Sequence, residues 1–216
     1  MIKLVSDKSI SFLIIFFVLF CVNAAIGQTM QYSYNSKYRI SIPSKLELQD
    51  SELNTLTNKK QQVSINTPSN RIVFQQKGLN AELKTAYSKY CRVLIEYYKE
   101  NINEPVYGCD DQIVVDRDIL YLVHNSIEKA CNINHTPLIK LLTIQPLTIN
   151  GFPVLFYSYK RKGWEGKQPP VIVNVYQIFN RYESVTLTFS YREAERNLWK
   201  DVHSNITKSF SFIKKY

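Results

Sequence analysis

Val171-Ile172-Val173-Asn174-Val175-Tyr176-Gln177-Ile178-Phe179 runs through Asn180-Arg181 into Tyr182-Glu183-Ser184-Val185-Thr186-Leu187-Thr188-Phe189-Ser190-Tyr191. β-branched and aromatic residues dominate both halves, and they fit a pleated, half-buried surface. A polar pair interrupts two apolar runs, which predicts a long antiparallel hairpin. In the second strand Val185, Leu187 and Phe189 alternate with Thr186, Thr188 and Ser190. One face of that strand therefore packs on a core while the other is free to meet solvent.

Upstream, Asn150-Gly151 sits between Ile149 and the run Phe152 to Tyr159, the strongest short hairpin signal a sequence carries. Leu138 to Leu147 precedes it as a strand around Pro146. Downstream, Ser190-Tyr191-Arg192-Glu193 has capping-box spacing, and Ala194, Leu198, Val202 and Ile206 follow at four-residue intervals. This predicts a closing helix with Trp199 in the core, followed by Ser209-Phe210-Ser211-Phe212. Further upstream, Leu79, Leu83, Ala86, Tyr87, Tyr90, Leu94 and Tyr98 fit a helical stripe through Lys99, which predicts a long first helix. Asp116 is placed to cap a second helix whose shared face carries Ile119, Leu120, Val123, Ile127 and Ala130.

Near the start, Tyr38-Arg39-Ile40-Ser41-Ile42-Pro43 alternates as a strand stopped by proline. Residues 44–61 read as a loop with one short helical turn. Gln62 to Asn66 and Arg71 to Gln76 read as a hairpin around Thr67-Pro68-Ser69-Asn70. Hairpins, a helix pair and a terminal helix together predict an α+β sandwich with a mostly antiparallel sheet. The 216 residues contain no fixed-period repeat and no Gly/Ser linker, so residues 28–216 are expected to form one domain.

Residues 1–27 are expected to be a cleaved secretory signal peptide. Lys3 and Lys8 precede an apolar run from Ile10 to Val22, and Ala25 and Gly27 supply the small residues of a cleavage site. Left uncleaved, the segment is an anchor; cleaved, it leaves a periplasmic or extracellular protein with no transmembrane span. The formal net charge is +9, and the chain stays basic without the leader. Such a charge steers encounter with anionic partners. The basic runs Lys59-Lys60, Lys160-Arg161-Lys162 and Lys214-Lys215 are too short for a nucleic-acid tract, so no nucleic acid is expected. After the leader, Cys91, Cys109 and Cys131 make an odd number in a compartment that permits disulfides. Cys91 reads as a buried thiol, and Cys109 and Cys131 flank one segment that a disulfide between them would bridge.

The chain carries no G-x-S-x-G, H-E-x-x-H, P-loop or G-x-G-x-x-G motif. Cys131 and His135 are half of a zinc site whose other half is missing, and Asp110, Asp111, Asp116 and Asp118 lack the glycine and glutamate of a calcium loop. No catalytic residue, metal or cofactor is therefore assigned. The most suggestive surface stretch is Lys160-Arg161-Lys162-Gly163-Trp164-Glu165-Gly166-Lys167, a hairpin connection that sets one aromatic ring among four cations. Lys160, Arg161, Lys162, Trp164 and Lys167 are the candidate ligand contacts, suited to an anion beside a sugar ring or lipid headgroup.

The opening Tyr38 to Pro43, the hairpin start Gly151-Phe152-Pro153-Val154, the long hairpin Val171 to Tyr191, the Trp199 helix and the closing Ile206 to Phe212 together resemble the PsbP-like family, whose fold is shared with a Ran-binding nuclear import factor. The likeness spans roughly residues 32–214 as an order of elements. It implies an αβα sandwich around an antiparallel sheet, and a binding or assembly role without catalytic machinery. The region 79–135 departs from it by being longer and more helical. No site motif of the family is present, so no functional residue carries over. The expectation is an exported, non-enzymatic binding or assembly module of the cell envelope, whose partner is a protein or an anionic envelope component. The alternatives are an exported hydrolase whose site gathers His124 or His203 with a carboxylate and a hydroxyl, and a peripheral membrane protein held by its basic surface.

Overall fold

The computed structural model describes residues 29–34, 37–49, 71–100, 106–163 and 168–214. The leader expected at 1–27, the strand expected at 62–66, Trp164 and Lys167 lie outside the described residues.

The long hairpin is the axis of the molecule. Strands β8 (Val171–Asn180) and β9 (Glu183–Arg192) pair from Val171↔Arg192 to Asn180↔Glu183, and Arg181 takes the left-handed conformation in the turn between them. β7 (Phe152–Arg161) pairs with β8, and β6 (Leu138–Ile149) pairs with β7 through the expected Asn-Gly turn. Both turn residues have positive φ, +52° at Asn150 and +85° at Gly151, the geometry that matches the twist of the flanking strands. β6 ends the sheet, where Pro146 removes no hydrogen bond that an inner strand would need.

On the other side of β9 lies the largest departure from expectation. Residues Cys91–Lys99 form a strand, β5, where the helical stripe predicted the second half of a helix. Only Lys84–Tyr87, α1, is helical in that region. Leu83, Ala86, Tyr90, Leu94 and Tyr98 satisfy a 3.6-residue period, but Cys91, Val93, Ile95 and Tyr97 satisfy a period of two. The second set is the one that is buried, residue for residue. β-branched and aromatic side chains favour the strand, and pairing with β9 along all nine residues settles the competition.

β4 (Arg71–Gln76) pairs with β5, and β3 (Leu46–Leu48) pairs with β4 in a stretch expected to be loop. The resulting seven-stranded sheet has the order β3-β4-β5-β9-β8-β7-β6. A separate three-stranded sheet, β1-β2-β10, joins Thr29–Tyr34, Tyr38–Pro43 and Ser211–Phe212. All described pairings are antiparallel.

Two helices complete an α+β sandwich. α2 (Arg117–Ile133) starts at Asp116, whose carboxylate accepts from the Ile119 backbone N–H at 2.9 Å, as the sequence predicts. Its buried stripe is Val123, Ile127 and Cys131; Leu120 and Ala130, expected on that face, are exposed. α3 (Arg196–Ser209) begins later than its capping-box spacing suggested. Ser190 stays in β9, which runs on to Arg192, and a 3-10 turn over Glu193–Glu195 leads into the helix. Trp199 is buried in it as expected, its indole N–H donating to Glu195 Oε2 at 3.2 Å.

The principal core lies between α3, the small sheet and one face of the large sheet. There Ile40, Ile42, Val93, Ile95, Leu187, Phe189, Trp199 and Ile206 meet in one cluster. α2 packs on the opposite face at the β6–β7 side of the sheet, where Val123 and Ile127 meet Leu155. Burial of these apolar faces is the main favourable term holding the layers together.

The cysteines correct one expectation. All three are free: Cys109 packs at the edge of the principal core and donates to the Gly151 carbonyl at 3.2 Å, whereas Cys131 lies on the buried face of α2. The two sit in different clusters, and no Cys109–Cys131 bridge is formed. Among the described residues no helix is long and apolar enough to cross a membrane.

Candidate functional site

Because α2 stops short, the sheet face over β8, β9, β5 and β4 is left concave. A groove of about 540 Å³ opens there, within the range of small-ligand sites. Its floor can be read from strand register. Arg92 lies opposite Ser190, Ser190 opposite Val173, and Val173 opposite Tyr159, so these four form one row across four strands. The next row carries Leu94 and Thr188, and the row nearest the β7–β8 connection carries Arg192, Val171 and Arg161. Arg71, from β4, completes the far side, and Ala130, Cys131 and Asn134 at the end of α2 form a wall.

Four arginines line this groove, and they differ in what they are already bonded to. Arg192 donates to the Ser88 carbonyl at 2.9 Å and to Glu195 at 3.4 Å. Arg161 donates to the Lys162 carbonyl at 3.1 Å. The Arg92 side chain makes no hydrogen bond among the described residues. Arg71 is the telling case: its side chain is 8% exposed, its Nε is buried without a hydrogen-bond partner, and Glu96 approaches no nearer than 3.7 Å. An arginine stays charged in a protein, and leaving such a donor buried and unmatched is costly. Burial pushes the Glu96 carboxyl above its usual range, offset in part by Arg71; burial also lowers Arg71, and neighbouring Arg92 lowers it further. Two cations against one carboxylate leave this end of the groove positive.

Toward α2 the lining becomes apolar. Val171 and Val173 are buried with Val175 in their own cluster, against which Tyr90 and Tyr159 pack. The Tyr159 hydroxyl is pushed up to about 12 by burial and stays protonated. Tyr90 and Ser190 share a hydrogen bond of 3.2 Å between their hydroxyls at mid-groove.

Of the five residues singled out in sequence, Lys160, Arg161 and Lys162 are described, and the alternation of β7 sends the first two to different faces. Arg161 faces the groove. Lys160 is bound instead to Glu193 at 2.6 Å and does not line the groove, and Lys162 is exposed outside it. Gly163 and Gln168 line the mouth. A Cβ on Gly163 would collide with Gln168 Cβ and stand 2.7 Å from its carbonyl carbon, so only glycine permits that close approach.

The two histidines of the hydrolase alternative are not brought together with a catalytic set. His203 is buried with Cys91 Sγ at 3.8 Å and the rings of Phe189 and Tyr191 against it, and burial lowers its pKa to about 4. His124 lies on α2 beside Glu128 at 3.7 Å. Asp116 and Asp111 are spent on backbone donors, Ile119 and Gly108. Among the described residues no group of three His, Cys, Asp or Glu side chains is placed to hold a metal ion.

Sequence reasoning missed Arg71, Arg92 and Tyr90. Reading 79–99 as a helix placed Tyr90 and Leu94 on a buried stripe and gave Arg92 no role. The usable signal was the polar alternation Thr186-Thr188-Ser190, which marks the face to which Arg92 belongs.

No family model matches the chain, and no curated protein matches it in sequence. Among solved structures it is similar to the cyanobacterial PsbP of Synechocystis sp. PCC 6803, at 15% identity over 87% of this chain and 94% of that one, with a TM-score of 0.49. It is also similar to the Ran-binding protein Mog1p of Saccharomyces cerevisiae, at 10% identity over 87% and 97% of the two chains, with a TM-score of 0.49. A third is LpqN of Mycobacterium tuberculosis, involved in cell envelope biogenesis, at 10% identity over 90% and 96%, with a TM-score of 0.39. The sequence resemblance named the PsbP-like family and a Ran-binding protein, and a PsbP and a Ran-binding protein are among the solved structures to which the chain is similar. At these identities site residues do not transfer, and the groove has to be read from its own side chains.

Proposed function

We propose that this chain is an exported, non-enzymatic binding or assembly module of the cell envelope, and that it binds an anionic ligand in the arginine-lined groove. The observation that carries this reading is Arg71, buried with an Nε that has no hydrogen bond and only the Glu96 carboxylate at 3.7 Å, beside Arg92, whose side chain makes no hydrogen bond among the described residues. An oxyanion entering there supplies the missing acceptors, and charge-assisted bonds to arginine are among the stronger ones. The described lining is dominated by donors for an anion, four arginines together with hydroxyls and amides, against the Glu96 carboxylate that stands 3.7 Å from Arg71. The leader motivates export, since it has the three-part form of a signal peptide.

The test is calorimetric titration of the purified chain with inorganic phosphate, butyrate and octanoate, repeated on Arg92→Gln. Binding of at least one of these, weakened about tenfold or more by Arg92→Gln, supports the reading, since a charged hydrogen bond is worth roughly 1.5–3 kcal/mol. Binding of none of the three, or binding indifferent to Arg92→Gln, overturns it.

A further inference from the structure

Positive charge is spread along the groove. By strand rise and spacing, the Cα atoms of Arg92 on β5 and Arg192 on β9 are about 8 Å apart, and Arg192 is about 10 Å from Arg161 on β7. Arg71 on β4 stands about 14 Å from Arg92 on the far side. The four run diagonally across the floor, and their ends, Arg71 and Arg161, are about 28 Å apart, too far for one compact oxyanion to touch both. Glu96 partly matches Arg71, but the other three keep donors. The bonds of Arg192 and Arg161 to the protein all leave from Nη1, so among the described residues Nε and Nη2 of both are uncommitted, as is the whole Arg92 fork. Neutral groups that donate and accept stand between these cations. Ser190, opposite Arg92, shares its hydroxyl bond with Tyr90; Tyr159 is one row from Arg161; Asn134 and Gln168 border the groove.

This spacing selects among anions. A single small oxyanion fills one position and leaves the rest of a groove of about 540 Å³ to water. A polyphosphate is charged at every unit, too densely for cations separated by hydroxyls and amides. An extended acidic peptide brings backbone groups that need partners, and β5, β9, β8 and β7 under the stripe are each paired on both edges, so they offer it no strand edge. Tyr90 and Tyr159 each join an apolar ring to a hydroxyl, which suits the apolar face and hydroxyl rim of a sugar. Resting on the anion-binding reading, we infer that the groove takes an acidic oligosaccharide, sugar rings carrying carboxylates. One carboxylate is held by Arg92 and another by Arg192 and Arg161, whose planar forks match it bidentately. The ring hydroxyls between them bond to Ser190, Tyr90 and Tyr159.

The test is calorimetric titration with galacturonate and its linear oligomers up to the tetramer, beside maltotetraose as the neutral chain, tripolyphosphate as the dense anion and tetraglutamate as the peptide. The tetramer is expected to bind about tenfold or more tighter than galacturonate, because a second charge-assisted contact is added. Arg92→Gln and Arg161→Gln each weaken the tetramer about tenfold, whereas inorganic phosphate, seated at Arg92, is unmoved by Arg161→Gln. The length series is read on the native protein, so it stands whether or not a variant folds. A series flat in ring number overturns the oligosaccharide, as does maltotetraose, tripolyphosphate or tetraglutamate binding as tightly as the tetramer. Phosphate weakened by Arg161→Gln as much as the tetramer overturns it too, by showing that the arginines converge on one small anion. In each of these cases phosphate binding that depends on Arg92 leaves the anion reading standing. No binding of any of these anions overturns both.

Discussion

His203 offers a sharp test of how the principal core is built. It stands on the buried face of α3, 5% exposed, with the Cys91 thiol and the rings of Phe189 and Tyr191 as neighbours. Burial alone lowers its pKa from 6.5 to about 4. The unfolded chain therefore binds a proton between these two values that the folded chain refuses, and stability falls as pH falls through that window. The contribution is intact above the unfolded pKa. It is lost progressively below it, and the full loss is about 3 kcal/mol once the folded pKa is passed, at 1.36 kcal/mol per unit. At pH 5 the same linkage gives about 2 kcal/mol. The perturbation is His203→Gln, which cannot titrate, and the assay is urea denaturation of both proteins at pH 7.5 and pH 5. Each protein is compared with itself, so any packing lost in the variant cancels. The native protein is expected to lose about 2 kcal/mol more on acidification than the variant does. Equal losses in the two proteins would refute the reasoning, because they would mean that His203 is hydrated or paired when folded.

Three other outcomes are expected. Asn150→Ala removes the two bonds to the Lys208 and Phe210 carbonyls that close α3 and puts alanine at a φ of +52°, so it should cost about 2–3 kcal/mol in urea denaturation; Asn150→Gly relieves the backbone strain and should cost less. Gly163→Ala forces the approach to Gln168 apart and should weaken octanoate binding by calorimetry while the melting temperature moves by only a few degrees, because the change is confined to the groove mouth. Thiol titration without reductant should count all three described cysteines in denaturant, with Cys91 and Cys131 slow in the native protein because burial raises both pKa values; a count of one would restore the bridge.

Much of the fold was legible because local chemistry and tertiary structure agree there. Asn150-Gly151 and the hairpin from Val171 form where their side chains alone place them, and Asp116 caps the helix it precedes. Those signals are short-range: a turn that needs positive φ, a period of two over ten residues, a carboxylate three residues before an amide. Cys91–Lys99 was not legible. Its side chains satisfy two periods at once, and only pairing with β9 on one side and β4 on the other chooses between them.

The groove follows from that choice. Arg161 could be singled out as part of a basic run, but Arg71, Arg92, Ser190, Val173 and Tyr159 come from five different strands. No spacing along the chain brings them together. From its residues alone the chain was readable as a basic α+β sandwich with an antiparallel hairpin at its heart and a face of Thr186, Thr188 and Ser190 left free of the core. Which cations share that face, and what each is already bonded to, was decided only by strand register and by where α2 ends. Register aligns residues about a hundred positions apart, and burial, which makes an unpaired guanidinium costly, exists only once the layers have closed.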